Sequence, residues 1–198
     1  MEELDPKWIR VSSILSLMPT LEDGKWGFPM QRIDADLLQR KADLGSKVHD
    51  MIASDLRKEF TVLDGKAEGY FNSYTKWYDI VHPEPVHIEK RFYNETTLLT
   101  GCIDLACHFK GREGRPGVFL VDWKCTVNPD PMKWPLQAAF YHLLMELNRV
   151  EIEPVAYFVQ LDPDGKEPKV HDYLITPGLK KTALSLYNMY IYLTKNKQ

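Results

Sequence analysis

The sequence predicts a mixed α/β fold of the α+β kind, in which helices flank a five-stranded, mixed and mostly antiparallel sheet. Helical periodicity dominates the first part of the chain, and strand-like alternation takes over in the middle. Short connections between the central strands favour an antiparallel meander. No linker divides the 198 residues, so we expect one domain over 1–198, with a helical part to about residue 82 and a sheet core from about residue 83.

The N-terminal part is predicted to be helical. Residues 10–18 predict a short helix capped by Ser12 or Ser13, and residues 19–32 predict an ordered loop because they lack any period. A long helix is predicted over 34–60, since its apolar residues recur at steps of three and four: Leu37, Leu38, Ala42, Leu44, Val48, Ile52 and Leu56.

A further helix is predicted over 64–80, with an aromatic side that we expect to join the core rather than to stack on a ligand: Tyr70, Phe71, Tyr74, Trp77 and Tyr78. Three strands follow at 86–93, 98–109 and 118–126, the last two joined by a Gly-rich turn.

The C-terminal part adds a helix over 134–148 and two strands over 154–161 and 169–175. A final helix is predicted to start with Thr176 as its cap and Pro177 at its first position, and to run to about residue 195.

The composition is that of an ordinary globular protein, with 44% hydrophobic and 27% charged residues. A net charge of −3 excludes a strongly basic coat. It does not exclude phosphodiester chemistry, because carboxylates that hold a cation belong at the centre of such a site.

The N-terminus is acidic and lacks a signal-peptide core, and no apolar run approaches the length of a membrane span, so we expect a cytoplasmic protein. The three cysteines, Cys102, Cys107 and Cys125, are an odd number and fit free thiols in a reducing compartment. Three cysteines cannot alone hold a four-cysteine iron–sulfur cluster, and none is expected.

The sharpest chemical signal is the triplet Asp122-Trp123-Lys124 inside a predicted strand. Because side chains alternate, Asp122 and Lys124 share one face while Trp123 points to the other, with Val121 and Cys125, into an expected core. Charges beside a core are unusual. An ordinary Asp–Lys ion pair is the alternative interpretation.

Asp104 lies in the preceding strand, and its neighbours Ile103 and Leu105 are expected on the opposite face. In an antiparallel hairpin Asp104 comes beside Asp122, and two such carboxylates repel unless a cation lies between them. Oxygen ligands suit Mg²⁺ or Mn²⁺. A strand-end cap or turn residue is the alternative.

Gly45 and His49 are one helical turn apart on the predicted helix 34–60. A glycine inside a helix costs about 1 kcal/mol relative to alanine, which suggests close approach of a sheet edge or a phosphate. His49 then points to the same place. A partly buried, hydrogen-bonded histidine is the alternative.

Gln137 and Tyr141 are also one turn apart, and we expect Gln137 to orient a lysine or a base edge and Tyr141 to bind a phosphate or stack on a base. A pair on the helix surface is the alternative.

Glu89 is expected to share a strand face with His87 and Arg91. It either supports the carboxylate cluster or pairs with Arg91.

The order G-x-x-x-H, glutamate strand, G-x-x-D, D-x-K and Q-x-x-x-Y resembles the PD-(D/E)XK nuclease superfamily, and within it the RecB-type exonucleases, including small phage exonucleases and the nuclease of CRISPR adaptation. The match covers about 11–141. The opening VSSILSLM is also similar to that of phage members. The resemblance implies a restriction-endonuclease-like core and cleavage that leaves 5′-phosphates.

The resemblance also implies roles for individual residues. Asp104, Asp122, His49 and the backbone carbonyl of Trp123 would ligate one or two Mg²⁺ or Mn²⁺ ions, and Lys124 would polarise the attacking water or stabilise negative charge. Glu89 would support catalysis. Gln137 and Tyr141 would hold the substrate strand and the active-site geometry, and Gly45 is a further expected substrate-binding residue.

Two departures from the family matter. The segment between Asp104 and Asp122 is long, and its Lys110, Arg112 and Arg115 either contact the DNA backbone or form a solvated hairpin tip. No helicase motif is present, so a motor or recombination partner would be a separate protein.

The resulting expectation is a DNA nuclease, an exonuclease of phage or bacterial recombination or repair, acting in a bacterial or phage-infected cell. The alternatives are a catalytically silent DNA-binding or assembly module with this fold, and a metal-dependent phosphohydrolase acting on RNA or nucleotides.

Overall fold

The computed structural model describes residues 5–18, 20–22, 25–27, 35–111 and 114–195. A six-stranded mixed sheet is flanked by five helices, which confirms the predicted class of fold. The helices are α1 (Val11–Leu15), α2 (Ala35–Leu56), α3 (Glu68–Val81), α4 (Lys133–Leu147) and α5 (Pro177–Lys195). The sheet strands are β1 (Ile9–Arg10), β4 (Glu84–Asn94), β5 (Leu99–Lys110), β6 (Pro116–Lys124), β7 (Val155–Gln160) and β8 (Lys169–Leu174).

The sheet follows the predicted meander and then crosses over. Strands β4, β5 and β6 pair antiparallel in succession, β7 lies parallel to β6, and β8 returns antiparallel to β7. Helix α4 makes the connection that a parallel neighbour requires. The sixth strand, β1, was not predicted; it pairs parallel with the start of β5.

The predicted loop over 19–32 contains two short strands that pair antiparallel, β2 (Thr20–Glu22) and β3 (Lys25–Gly27). Three residues are too few for a period of two to be recognised, which is why the sequence did not predict them. The rest of that segment lies outside the described residues.

Helix α1 is shorter than predicted, and the predicted serine cap is wrong. Its N-cap is Arg10, which has extended backbone angles and makes no side-chain cap bond, while Ser12 and Ser13 lie inside the helix. Arg10 is extended because it pairs with β5. The cap of α5 is confirmed, since Thr176 Oγ1 accepts a hydrogen bond from the Leu179 N–H at 3.1 Å.

Two apolar layers cover the sheet. Helices α2 and α3 bury one layer, where Trp123 packs edge-on against Trp77 and Tyr74 with centroids 5.1 and 5.4 Å away. The predicted aromatic core of α3 is therefore confirmed. Helices α1, α4 and α5 bury the other layer, which includes Leu120 and Phe158. Among the described residues, none of the helices is long and apolar enough to cross a membrane.

The regular alternation of the β4–β5 hairpin breaks at Glu89, whose φ of 46° is left-handed. Ile103 packs in the layer with α4, whereas Leu105 packs in the layer with α2 and α3. The expectation that both lie on one face opposite Asp104 is therefore wrong. The alternation of side chains therefore reverses at Asp104. This residue lies opposite Glu89, between the paired residues Ile88–Leu105 and Lys90–Ile103.

The same reversal corrects the predicted face of Glu89. His87 contacts the ring of Phe92, with centroids 5.5 Å apart, and Phe92 belongs to the layer with α4. Glu89 instead reaches His49 on α2. Glu89 and His87 therefore do not share a face, because the left-handed backbone of Glu89 itself redirects its side chain.

Gly45 of α2 and Gly69 of α3 have opposite surroundings. A Cβ at Gly69 would lie 1.7 Å from the Pro163 carbonyl oxygen, so α3 packs directly on the turn before β8. A Cβ at Gly45 would have nothing within 4 Å. The predicted close approach at Gly45 is therefore not made by any described part of this chain.

We expect Gly69→Ala to lower the free energy of unfolding by about 1–3 kcal/mol, because the methyl group forces the helix off the turn. The matched control Gly45→Ala should raise it by about 0.5–1 kcal/mol, because alanine favours the helix and meets open space. Urea denaturation of both variants measures the difference. Equal effects would contradict the packing described at Gly69.

Candidate metal and lysine centre

Strands β5 and β6 separate at the residues singled out in the sequence. Their pairing runs from Lys110–Pro116 to Leu105–Val121 and ends there. At the next position the Asp104 carboxylate Oδ2 accepts the hydrogen bond of the Trp123 backbone N–H at 2.8 Å. A side chain thus takes the place of a ladder bond, and this opens a gap between the strands.

Asp122, Lys124 and Gln137 form a compact polar network on the α4 side of the gap. Lys124 Nζ lies 2.5 Å from Asp122 Oδ2 and donates to Gln137 Oε1 at 2.9 Å. Gln137 Nε2 donates to Asp122 Oδ1 at 3.0 Å and to the hydroxyl of Tyr141 at 3.3 Å. The amide therefore satisfies a cation with its oxygen and an anion with its nitrogen.

Asp122 is almost completely buried, at 1% exposure, yet its Oδ2 accepts no hydrogen bond of ordinary geometry among the described residues. The short approach of Lys124 is an ion pair without that alignment. Burial and then the nearby Asp104 carboxylate raise the pKa of Asp122, which reaches about 6 against the opposing effect of Lys124. One carboxylate oxygen in the centre thus lacks a full set of partners.

His49, Glu89 and Asp104 converge from α2, β4 and β5. His49 Nδ1 lies 3.6 Å from Glu89 Oε1 and 3.4 Å from Asp104 Oδ1, and one ligand atom from each residue lies within 4.8 Å of the other two. Burial lowers the pKa of His49, but Asp104 and Glu89 outweigh it and hold that pKa well above its usual value. The two carboxylates therefore favour the protonated form of the imidazole.

The donor set fits a divalent cation. Nitrogen and carboxylate oxygen ligands about 2.1 Å from a shared ion lie roughly 3–3.5 Å from one another, close to the observed separations. Within an extended strand, N–H and C=O of one residue point to the same edge. The Trp123 carbonyl thus points toward Asp104, since its N–H does and since the Lys124 carbonyl points the other way to Leu161.

Two features of the Glu89 position were not recognised from the sequence. The thiol of Cys102 lies 3.8 Å from Glu89 Oε2 and holds that oxygen, while the other oxygen faces His49. The left-handed backbone of Glu89 directs its side chain to α2. A non-glycine residue with positive φ inside a strand has no sequence signal that periodicity reveals.

Tyr141 makes a packing contact with the sheet that the sequence did not predict. Its ring packs on Gly101 of β5, where a Cβ would lie 2.7 Å from the tyrosine ring. Burial raises the pKa of its hydroxyl, as do the carboxylates of Asp122 and Asp104. Gly101 therefore lets α4 lie close to the sheet and brings Gln137 to the lysine.

Other predicted site residues lie apart from this centre. Arg115 precedes the opposite end of β6 from Asp122, roughly 20 Å away at the usual rise of a strand. Lys110 is at the same end as Arg115, and Arg112 lies outside the described residues. Gly45 is one turn before His49 on α2.

The cysteines are free. Cys107 is buried, and Cys102 and Cys125 are partly buried. Burial raises the pKa of both Cys102 and Cys125 to about 11, which makes neither thiol reactive at neutral pH.

No family model matches the chain, and no curated protein matches it significantly. A solved structure titled "Crystal structure of SSO0001" is similar with a TM-score of 0.46 at 11% identity, over 97% of this chain and 79% of that chain. At this level of similarity, the comparison carries no argument about function.

We expect Gln137→Leu to lower the free energy of unfolding by about 1–3 kcal/mol, because it leaves Lys124 and Asp122 each short of a buried hydrogen bond. The control is Gln39→Leu, whose hydrogen bond to Asp43 is on the surface and should change stability by less than about 0.5 kcal/mol. Thermal and urea unfolding measure both. A Gln137→Leu variant as stable as the wild type would contradict the network.

Proposed function

We propose that this protein is a metal-dependent DNA nuclease of the exonuclease type, which hydrolyses phosphodiester bonds and leaves 5′-phosphates. One observation carries the proposal. A partly buried lysine and two buried aspartates meet where β5 and β6 separate, beside a histidine and a glutamate from neighbouring elements. A binding module has no need for such a costly set of buried charges.

The residues divide into two tasks. His49, Glu89 and Asp104 would hold the cation, with the Trp123 carbonyl and Asp122 as further oxygen ligands. A bound Mg²⁺ or Mn²⁺, one ion or two, supplies an activated water and neutralises the phosphate. Lys124, held by Asp122 and Gln137, lies where its charge can stabilise the developing negative charge on the phosphate oxygens.

The exposed fractions of the ligands favour a large substrate. The side chains of His49 and Glu89 are 27% and 28% exposed, whereas that of Asp122 is 2% exposed. The centre therefore opens to solvent between α2 and β4 and is closed on the α4 side. A backbone phosphate of a DNA strand can approach from the open side, past the uncrowded Gly45.

The cellular setting belongs to the same proposal. An exonuclease of this kind would act in the cytoplasm of a bacterial or phage-infected cell, in recombination or repair. A helicase or recombination protein would be its separate partner.

We expect the wild type to degrade linear DNA in Mg²⁺ or Mn²⁺ and to be inactive in EDTA. Lys124→Ala should lose at least about 100-fold in rate, because one electrostatic stabiliser of the transition state is removed. The matched control Lys166→Ala removes an exposed lysine that pairs with the nearby Asp164, and it should keep full activity. Single- and double-stranded linear and circular substrates are compared on gels.

The possible outcomes of that assay distinguish the alternative classes of protein. Nicking of circles would make the enzyme an endonuclease. Cleavage of a mononucleotide ester or of RNA in preference to DNA would favour a phosphohydrolase of another class. DNA binding without cleavage in any metal would overturn the enzyme and favour the binding module.

We expect Mn²⁺ to bind the wild type in isothermal titration calorimetry, and Asp104→Asn to weaken binding by at least about 10-fold, because a charged ligand is lost while the shape is kept. The control Asp164→Asn neutralises an exposed aspartate and should leave binding unchanged. The stoichiometry distinguishes one ion from two. Equal affinity for wild type and Asp104→Asn would contradict this ligand assignment.

A further inference from the structure

Two aromatic rings face the charged end of Lys124. Its Nζ lies 4.9 Å from the ring centroid of Phe158 and 5.8 Å from that of Trp134. Phe158 is fully buried on β7, beside Asp122 in the strand register, and Trp134 is 5% exposed at the start of α4. The sequence predicts no such role for either residue, since an aromatic side chain next to a core is normally part of that core.

The rings complete the surroundings of the ammonium group. Asp122 and Gln137 offer it oxygen atoms, and the faces of the two rings offer apolar surface with partial negative charge. The Lys124 side chain is only 15% exposed. A cation in such a position has little water to compete with its partners, so its direction is set by the protein.

We propose that Trp134 is a positioning residue that fixes the Lys124 ammonium against Asp122. Trp134 and Gln137 lie three residues apart on α4, so one helix face supplies both the ring and the amide. The consequence for catalysis rests on the proposed nuclease function, whereas the placement of Lys124 does not.

The Trp134 ring is itself held in place. It packs against Phe158 with centroids 5.7 Å apart and meets His171 of β8 edge-on at 5.3 Å. His171 Nε2 is 3.1 Å from Gln160 Oε1, and the Gln160 amide donates to the Thr126 and Val127 carbonyls, both at 2.7 Å.

These contacts connect the ring to the segment that follows the lysine. Gln160 is the strand partner of Lys124 in β7 and is itself buried, at 7% exposure. The exit of the chain from β6 and the orientation of Trp134 are therefore set by one connected group of side chains. A ring so supported can hold a cation in one direction.

The first test uses the full chain and does not depend on activity. The Lys124 side-chain NH₃⁺ signal is recorded by ¹H–¹⁵N NMR and assigned by its loss in Lys124→Met. Its protons should be shifted upfield by the rings in the wild type and in Trp134→Phe, and this shift should be reduced in Trp134→Leu. Phe140→Leu is the matched control, because Phe140 is on the same helix and fully buried in the same apolar layer.

The second test measures the kinetics of DNA cleavage. Trp134→Leu should lower kcat by about 2- to 30-fold, the usual range for a cation–π contact, with KM and the Mn²⁺ affinity within about 2-fold of wild type. Trp134→Phe should restore most of kcat. Phe140→Leu should lose stability to a similar extent without loss of kcat.

The outcomes separate the two proposals. An NH₃⁺ signal in Trp134→Leu identical to that of the wild type would overturn the positioning role. If Trp134→Leu leaves kcat unchanged, the proposed effect of Trp134 on catalysis is overturned. If the wild type cleaves no substrate, the nuclease proposal fails while the NMR result still decides the placement of Lys124. If Trp134→Leu does not fold, Trp134→Met of closer volume takes its place in both tests.

Discussion

The hydrogen bond from the Trp123 backbone N–H to the Asp104 carboxylate is the constraint on which the rest of the centre depends. A regular ladder would continue with backbone carbonyls at this point and keep β5 and β6 together. The carboxylate of a side chain reaches farther from its strand than a backbone carbonyl does. Its hydrogen bond therefore connects β5 and β6 at a greater separation. The opening directs Asp104 toward His49, and the backbone carbonyl of Trp123 points to the same side.

Each charged group around this opening faces a group of opposite sign. Three carboxylates, Asp104, Asp122 and Glu89, face the ammonium of Lys124 and the imidazole of His49. Buried charges are stable only with partners and hydrogen bonds. The Gln137 amide accepts a hydrogen bond from Lys124 and donates one to Asp122. The Asp122 oxygen without a hydrogen bond of ordinary geometry, within the described part of the chain, is the one that forms the ion pair with Lys124.

The apolar packing around the sheet stabilises the fold and also positions the charged residues of the centre. Trp123 fixes β6 in the layer with α2 and α3, so Asp122 and Lys124 must face α4. On that side, close packing of Tyr141 on Gly101 brings the α4 residues within reach of the lysine. Changes in this packing therefore act on the geometry of the charged groups even where they touch no ligand.

The sequence by itself determined the order and type of the main elements, because long periodic stretches dominate their own local structure. It also determined that Asp122 and Lys124 share a face and that Gln137 and Tyr141 share another, since both follow from a fixed period. Strand β1 and the β2–β3 pair were too short for a period to show. Only the tertiary structure decided that Glu89 joins His49, because a single left-handed residue reverses the alternation. It alone also decided that Trp134 and Phe158 face Lys124, since contacts between distant segments depend on how helices and strands pack and not on any local pattern.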